Sequence, residues 1–338
     1  MSHFKRLTID DIAELAGVSR TTASMVLNGH AERYRISSAT VEKVQTVARE
    51  HHFRPSQQAR SLRSRRSSSI GLVIPDLTNS SHAALAQALE NGCRAQGYQL
   101  LMVTSDEDVE RESAGISQLA ARQVDGMIVV PCSADAERYL PWTGRLPLVF
   151  ADRHIPGSGI PAAVTAAAAS VEALLAPVLA SGVDELVYFG GQPTLSSGRE
   201  RLAGYRQALA AHGIAPGGDW VAERDFQRES GYALMRDWYQ RRGRYPRALF
   251  TTAITLLEGV LSFIRERHRL REAPQYLLTF DDHPLLDCLP LPIDAIRQDS
   301  DRLAEASLEQ VMALLRGEAL AERDARVPAS LNLRRLSV

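Results

Sequence analysis

The chain has 338 residues, 45% of them hydrophobic and 23% charged, which is ordinary for a soluble globular protein but too long for one core. The formal net charge of −1 hides an asymmetry: residues 1–68 hold 12 Lys and Arg against 6 Asp and Glu, and the rest hold 27 against 34. We therefore expect two or three domains, with only a basic head meeting a polyanion such as nucleic acid.

Residues 8–28 predict two short helices joined by a tight turn. Thr8 can cap the first helix, and Asp11 three residues later completes a capping box. Gly17 supplies the backbone freedom that ends this helix, and Ser19 caps the second. The residues that recur at inward helical spacing are Ile12, Leu15, Ala16, Ala23, Val26 and Leu27.

The second helix presents polar residues on its other side. Arg20, Thr21, Ser24 and Met25 would face outward, a mixture suited to base edges and phosphates in a DNA major groove. The alternative is an ordinary helical hairpin within a larger core. The complete set of caps, the glycine turn and the small inward residues favour the DNA-binding interpretation.

A third helix is expected at 39–51, after a long basic loop that carries Arg33 and Arg35. Pro55 ends this region, 56–63 is a short run able to form a helix, and 64–69 is a polar linker. We therefore predict a helix-turn-helix domain at 1–55 and a hinge helix with its linker at 56–68.

Beyond the linker, short apolar runs alternate with amphipathic helices, as in α/β domains with parallel sheets. The pattern restarts after a Pro- and Gly-rich stretch, which predicts two lobes with a cleft between them. The predicted strands are 70–75, 100–104, 126–130, 146–150, 186–190, 248–252 and 277–280, and the predicted helices are 83–96, 110–122, 201–211, 229–240 and 256–267.

This two-lobed domain is predicted to cover 69–338. The first lobe would comprise about 69–160 and 299–322, and the second about 161–298 and 323–338. The Ala-rich stretch Pro161–Ala180 contains Glu172 and Pro177, so it predicts a soluble helix and not a membrane span.

Ligands of such sheets lie beyond the carboxyl ends of the strands. Arg153 and Arg201 are candidates for holding an anionic group, because a guanidinium fork matches phosphate or carboxylate. The carboxylates could accept hydrogen bonds from sugar hydroxyls. The alternatives are that Arg153 pairs locally with Asp152 and that Asp281 or Asp282 caps a turn. The polar residues at strand ends are Asp76, Ser105, Asp152, Arg153, Ser196, Ser197, Asp281 and Asp282.

Signals for catalysis, metals and export are missing from the sequence. It has no phosphate loop, no GxSxG elbow and no HExxH pair, so we do not expect an enzyme or a bound cofactor. Cys93, Cys132 and Cys288 are odd in number and widely spaced, which argues against disulfides and a zinc site. With no signal-peptide core at the N-terminus, a cytoplasmic location without membrane contact is expected.

The order of motifs resembles the lactose-repressor (LacI) family of bacterial transcription regulators over essentially the whole chain. The motifs are the run 8–28, Asn28-Gly29, 40–44, Phe53-x-Pro55 and 69–76. Within that family the chain is most similar to the fructose-repressor subgroup, also called the catabolite repressor/activator type. This likeness lies in 17–24, the loop 29–36, 97–101, 250–252 and 279–282.

The resemblance implies roles for individual residues. Arg20 and Thr21 would read base edges, Leu62 would wedge into the minor groove, and Ala59 would let two hinge helices approach. The implied DNA contacts are Thr8, Ser19, Arg20, Thr21, Thr22, Ser24, Met25, Asn28, Arg33, Arg35, Ala59, Arg60, Leu62 and Arg63. Arg201, Asp152 and Gln298 match effector-pocket positions. The implied effector set is Asp76, Ser105, Asp152, Arg153, Ser197, Arg201, Asp281, Asp282 and Gln298.

The sequence departs from the pattern of the family in two places, which concern the hinge helix and the effector. Ser56 and Gln58 replace residues that many relatives have in the hinge, so the hinge helix is expected to order only on DNA. Ala253-Ile254 replaces the Asn-Asp pair with which sugar-responsive relatives grip hydroxyls, which favours a phosphorylated ketose such as fructose 1-phosphate.

The resemblance thus predicts a repressor of sugar-metabolism genes that binds a pseudo-palindromic operator as a homodimer or a tetramer and is released by a phosphosugar. The alternatives are a regulator that responds to another sugar or to a purine, a sugar-binding transport protein, and a sugar-processing enzyme.

Overall fold

The structure is a computed structural model that describes residues 7–53, 66–267 and 272–337. It divides into two compact units, Met1–Ser67 and Ser68–Val338. The predicted hinge helix lies outside the described residues, as do Ala59, Arg60, Leu62 and Arg63.

Within residues 7–53, the described part of the first unit's head, there are three helices, α1 (Ile9–Leu15), α2 (Arg20–Leu27) and α3 (Ser38–Glu50). Each begins at a side-chain cap: Thr8 in a full capping box with Asp11, then Ser19, then Ser37. Ile12, Ala16, Ala23, Val26 and Val44 form the buried core between the helices. Leu15, in contrast to its predicted inward spacing, is 51% exposed.

The second unit alternates strands and helices. In chain order its elements are β1 (Ser69–Ile74), α4 (Ser80–Ala95), β2 (Gln99–Thr104), α5 (Val109–Ala121), β3 (Gly126–Val129), α6 (Leu140–Thr143), β4 (Leu148–Ala151), β5 (Ala162–Thr165), α7 (Ala167–Ala180), β6 (Leu186–Gly190), α8 (Ser196–Ala211), β7 (Val221–Glu223), α9 (Arg228–Arg242), β8 (Ala248–Thr251), α10 (Ile254–Glu266), β9 (Tyr276–Phe280), β10 (Ile293–Arg297), α11 (Ser300–Arg316), β11 (Asp324–Val327) and β12 (Ser330–Asn332).

These strands form two sheets, one in each lobe. The first has the order β11-β5-β4-β3-β1-β2 and is parallel throughout. The second has the order β12-β10-β9-β8-β6-β7, in which β12 alone runs antiparallel to its neighbour. Apolar side chains cover both faces of each sheet, as expected for parallel strands buried on two sides.

The lobe boundaries differ from the prediction in two places. Strand β5 was assigned to the second lobe as part of a helix, but it pairs with β4 and β11 in the first sheet. Strand β11 was also assigned to the second lobe, and the same pairing places it in the first. The chain therefore passes between the lobes after β5, after β10 and after β11.

Three glycines bring two pairs of helices of the second lobe close together. A Cβ added at Gly204 of α8 would lie 2.3 Å from the Ala168 carbonyl oxygen of α7. A Cβ at Gly231 of α9 would lie 2.1 Å from the Leu256 carbonyl oxygen of α10, and Gly259 approaches α9 in the same way. These contacts require glycine and fix the layers that cover the second sheet.

No helix in the three described ranges is both long and apolar enough to span a bilayer.

Candidate functional site

The N-terminal half of α2 forms a polar surface on the first unit. Arg20 and Thr21 are exposed, whereas Thr22, Ser24 and Met25 are half-buried. The Ser19 hydroxyl accepts a hydrogen bond from the Thr22 backbone N–H at 3.1 Å and lies 2.8 Å from the Thr22 hydroxyl. The start of α2 is therefore rigidly capped, with its first two side chains open to a partner.

The other end of α2 is closed by its own residues. The Asn28 side-chain amide donates to the Ser24 carbonyl at 2.7 Å, so Asn28 caps the C-terminal end of α2. Arg20 lies 3.3 Å from Asp10, in a pair exposed enough to exchange for a phosphate at small cost. Thr8 is exposed at the start of α1, and Arg33 and Arg35 are exposed on the following loop.

In the second unit, the carboxyl ends of the strands from both sheets face a common cleft. Polar and charged side chains make up most of its lining, which suits a polar ligand. Seven of the predicted effector residues line it: Asp76, Asp152, Arg153, Ser197, Arg201, Asp281 and Gln298.

Arg201 projects from the second turn of α8 and is 5% exposed. Its Nη1 donates to the Thr252 carbonyl oxygen at 2.5 Å, and its guanidinium lies 3.7 Å from the centroid of the Phe280 ring. No carboxylate of the described residues lies within 4.0 Å of it in an ion pair. Its Nε is buried without a hydrogen-bond partner, and so is the Ser197 hydroxyl one turn earlier.

Arg153 is also buried but is neutralised by a carboxylate. Glu107 contacts it through both oxygens, at 2.5 Å and 2.8 Å, and the Pro131 carbonyl accepts a third bond at 3.2 Å. Burial is the largest single effect on the pKa of Arg153 and would lower it, but the charge and hydrogen bonds of Glu107, together with the nearby charge of Asp152, outweigh burial and hold that pKa above its ordinary value. The predicted alternative, a local pair with Asp152, is replaced by this pair with Glu107.

Three carboxylates complete the lining. The His82 imidazole, 3.4 Å away, and hydrogen bonds from Thr78 and Asn79 hold the pKa of Asp76 well below its usual range against the opposing effect of burial. Asp152 and Asp281 follow β4 and β9 with φ of 60° and 72°, a left-handed backbone that residues other than glycine seldom adopt. Such strain is typical of functional sites.

Gln298 lies where the chain passes from the second sheet to the first. Its amide nitrogen donates to Asp281 at 2.7 Å, and its amide oxygen accepts from the Thr165 hydroxyl at 2.5 Å. Gln298 thus connects the floor of the cleft to β5 of the first lobe.

Two predicted effector residues do not reach the cleft. Ser105 is fully buried below it, with its hydroxyl 3.5 Å from the Ile74 carbonyl. Asp282 points away from Asp281, since it accepts hydrogen bonds from Arg334 at 2.8 Å and Asn332 at 3.2 Å. These two hydrogen bonds hold Asp282 outside the lining of the cleft, whereas Asp281 belongs to it.

Sequence reasoning missed several residues of the lining. Phe226 lies between the two arginines, with guanidinium-to-centroid distances of 5.6 Å to Arg153 and 5.8 Å to Arg201. Glu107 follows a predicted strand, as Ser105 does, and the strand-end rule applied two residues further would have found it. Nothing local in the sequence marks Phe226 or His82. The other lining residues not predicted are Thr78, Asn79, Ser81, Gln227, Ala253 and Thr255.

Among the residues that the structure describes, no three His, Cys, Asp or Glu side chains lie close enough together to hold a metal ion.

Comparison with known proteins places both units in one family. Residues 8–56 match the bacterial regulatory proteins of the lacI family. Residues 67–290 match the periplasmic binding proteins and sugar binding domain of the LacI family. The fold expected from the sequence, a helix-turn-helix head and a two-lobed α/β domain with parallel sheets, is confirmed.

Individual relatives are similar along nearly their whole length. The chain is 42% identical to the sucrose operon repressor of Klebsiella pneumoniae over 330 residues, 98% of each protein. It is 38% identical to the catabolite repressor/activator of Escherichia coli K12 over 312 residues, 91% of this chain and 92% of that protein.

A solved structure of similar fold is that of the Cra transcriptional dual regulator from Pseudomonas putida in complex with fructose 1-phosphate. It has a TM-score of 0.72 and 29% identity, and the match covers 79% of this chain and 98% of that one. These relatives are transcriptional regulators, and the resemblance read from the sequence motifs is confirmed. The chain belongs to the LacI family, as a DNA-binding, sugar-responsive repressor.

Proposed function

We propose that this protein represses genes of fructose or related sugar metabolism and is released from a pseudo-palindromic operator by a phosphosugar, fructose 1-phosphate. It acts as a homodimer, or as a tetramer built from dimers, on DNA in the cytoplasm. The observation that carries the choice of effector is the buried Arg201, whose charge no described carboxylate neutralises and whose Nε has no hydrogen-bond partner.

DNA binding rests on the polar surface of α2. Arg20 and Thr21 are the side chains most open to base edges, and the caps at Ser19 and Ser37 hold α2 and α3 in place. Two such heads, related by a two-fold axis, would read half-sites about one helical turn apart. Arg33 and Arg35 would contact phosphates beside the groove.

Effector binding rests on the polar groups of the cleft. A phosphate oxygen at Arg201 Nε and the Ser197 hydroxyl would satisfy two buried groups that have no partner. Asp76, Asp152 and Asp281 would accept hydrogen bonds from the hydroxyls of the sugar. These polar contacts match a small phosphorylated sugar better than an apolar or purely cationic molecule.

Coupling between the two activities follows from linkage. The effector must bind the DNA-incompetent state more tightly, typically by ~1–3 kcal/mol of coupling free energy. Gln298 bridges Asp281 of the cleft and Thr165 of the first lobe, so a ligand that moves Asp281 would shift the connection between the lobes.

The direct test is a gel-retardation assay with the full chain and promoter fragments that carry inverted repeats. We expect retention of one class of fragment, and release by fructose 1-phosphate at lower concentration than by fructose or fructose 1,6-bisphosphate. A folded protein with no preference for any inverted repeat would refute the function. Release by fructose at lower concentration than by its 1-phosphate would refute the effector.

A second candidate is repression of a sucrose operon, favoured by the 42% identity to the sucrose operon repressor of Klebsiella pneumoniae. The same assay distinguishes the two when sucrose-operon and fructose-operon fragments compete for a limiting amount of protein. Stronger retention of the sucrose-operon fragment would favour this candidate.

A further inference from the structure

Glu107 occupies the side of Arg153 on which an external anion would bind. Both carboxylate oxygens engage the guanidinium, and the side chains of Glu107 and Arg153 are only 11% and 4% exposed. A bidentate carboxylate fills the same fork that a phosphate would use. Both Nη atoms of Arg153 are therefore engaged and its charge is compensated before any ligand enters the cleft, while its buried Nε has no hydrogen-bond partner.

The loop that carries Glu107 holds it firmly in this position. Asp106 and Glu107 adopt left-handed backbone conformations with φ of 53° and 58°. The next residue, Asp108, caps α5 by accepting from the Arg111 backbone N–H at 2.8 Å, and Asp106 pairs with the Arg111 side chain. Two consecutive strained residues followed by a cap indicate a fixed placement of the Glu107 side chain.

Of the two guanidiniums that line the cleft, that of Arg201 alone has no carboxylate partner among the described ion pairs. Its lining carries four carboxylates, of Asp76, Glu107, Asp152 and Asp281, against the guanidiniums of Arg153 and Arg201. Since the charge of Glu107 already compensates that of Arg153, a single phosphate group would pair with the guanidinium of Arg201. A second phosphate would meet a surplus of carboxylates at short range, where repulsion is poorly screened.

We propose that Glu107 is a specificity-determining residue: by neutralising Arg153 it restricts the cleft to sugars with a single phosphate group and rejects bisphosphates. This inference rests on the proposed function, because it assumes a phosphorylated sugar as the ligand. It goes further in assigning the limit on ligand charge to a residue that would not itself hold the phosphate.

The test is calorimetric titration of the full chain with three ligands that differ in charge: fructose, fructose 1-phosphate and fructose 1,6-bisphosphate. In the wild-type chain we expect the 1-phosphate to bind at least about tenfold more tightly than the bisphosphate. Glu107→Gln removes the carboxylate charge and keeps the size of the side chain, which leaves the charge of Arg153 uncompensated. The affinity for the bisphosphate should then rise about tenfold or more, and that for neutral fructose should change less than about twofold.

The matched control is Glu110→Gln, the same substitution three residues further along. The Glu110 side chain is 81% exposed and contacts only Arg138 among the described ion pairs, so all three affinities should equal those of the wild type. In the double variant Glu107→Gln, Arg153→Met both buried charges are removed. The gain in bisphosphate affinity should then disappear.

The outcomes separate this inference from the proposed function. Two results would refute the role of Glu107 and leave the proposed effector standing. In the first, the wild type binds the 1-phosphate, but no more tightly than the bisphosphate. In the second, the folded Glu107→Gln variant keeps the wild-type ratio of the affinities for these two ligands. If the double variant keeps the gain in bisphosphate affinity, the role of Glu107 is refuted as well. A wild-type chain that binds none of the three ligands would refute the proposed effector and this inference with it.

Circular dichroism shows whether each variant folds. Should Glu107→Gln not fold, Glu107→Asp retains a charge but shortens the side chain, so its contact with Arg153 weakens. It should show a smaller gain in bisphosphate affinity, and a ratio equal to that of the wild type would refute the proposal.

Discussion

At the scale of single residues, burial and the immediate neighbours of an ionisable side chain together determine how readily it becomes charged. Glu112 of α5 is 1% exposed and accepts hydrogen bonds from the Tyr139 hydroxyl at 2.5 Å and the Cys132 backbone N–H at 2.8 Å. Burial raises the pKa of Glu112, and these two hydrogen bonds offset only part of that rise. Its ionised form is thus disfavoured in the folded state relative to the unfolded chain.

The consequence is a dependence of stability on pH. Because the pKa of Glu112 is raised on folding, its contribution is fully present below its unfolded pKa and is lost as pH rises through its folded pKa. Glu112→Gln should therefore flatten the decline in unfolding free energy as pH rises above the unfolded pKa of Glu112, measured by urea denaturation. The exposed Glu110→Gln should leave the decline unchanged, and an equal decline in Glu112→Gln would contradict the expectation.

Arg201 provides a test of the ligand contact at the same scale. Arg201→Lys keeps the charge but cannot both bond the Thr252 carbonyl and present a second donor to a ligand. We expect effector affinity to fall by ~2 kcal/mol or more, with operator affinity in the absence of effector retained. Arg206→Lys, at an exposed position of the same helix, is the control. Calorimetry showing equal losses for both variants would indicate that Arg201 does not contact the ligand.

At the scale of elements, the sequence predicts best what is locally encoded. The capping residues and the apolar runs located α1 to α3 and most strands to within two residues, because caps and hydrophobic periodicity are short-range signals. Strand β5 was missed: Ala162–Thr165 lies in an alanine-rich stretch that favours a helix, and only its pairing with β4 and β11 makes it a strand. Because β11 lies far along the chain from β5, their pairing leaves no pattern in the sequence around β5.

The residues of the candidate site likewise comprise some that the sequence predicts and some that it does not. The rule that ligands lie at the carboxyl ends of parallel strands located Asp76, Asp152, Arg153 and Asp281, because topology alone decides those positions. The rule could not tell that Asp282 turns towards Arg334 or that Glu107 pairs with Arg153, since side-chain direction and partners depend on tertiary packing.

The cap of α2 leads to a prediction for this element. Ser19→Ala removes the bond to the Thr22 backbone N–H and should cost about 1 kcal/mol of stability in the head. Because Arg20 and Thr21 follow directly, operator affinity should fall as well. Ser37→Ala removes the equivalent bond at α3, with a similar loss of stability and a smaller loss of affinity. Unfolding curves and gel retardation measure the two quantities; equal affinity losses would argue against α2 as the reading helix.

At the scale of the whole molecule, charge separates the DNA-binding head from the acidic body. Each phosphate contact releases counterions, so operator affinity should fall steeply with salt. Replacing Arg33 and Arg35 together by Gln should lower the slope of log K against log[salt] by about 2 for each head. Arg122→Gln, at an exposed position of the body, should leave the slope unchanged. A slope unaffected by the head substitutions would place these arginines away from the phosphates.

Strands β11 and β12 lie only three residues apart, yet each is the outermost strand of a different sheet. During synthesis both emerge after every other described strand, so neither lobe is complete while the ribosome is still translating this region. The head, by contrast, emerges first and needs none of these residues for its core. A truncation before Asp324 would thus uncover the sheet edges of β5 and β10 at once, and a nascent or truncated chain would aggregate through both lobes.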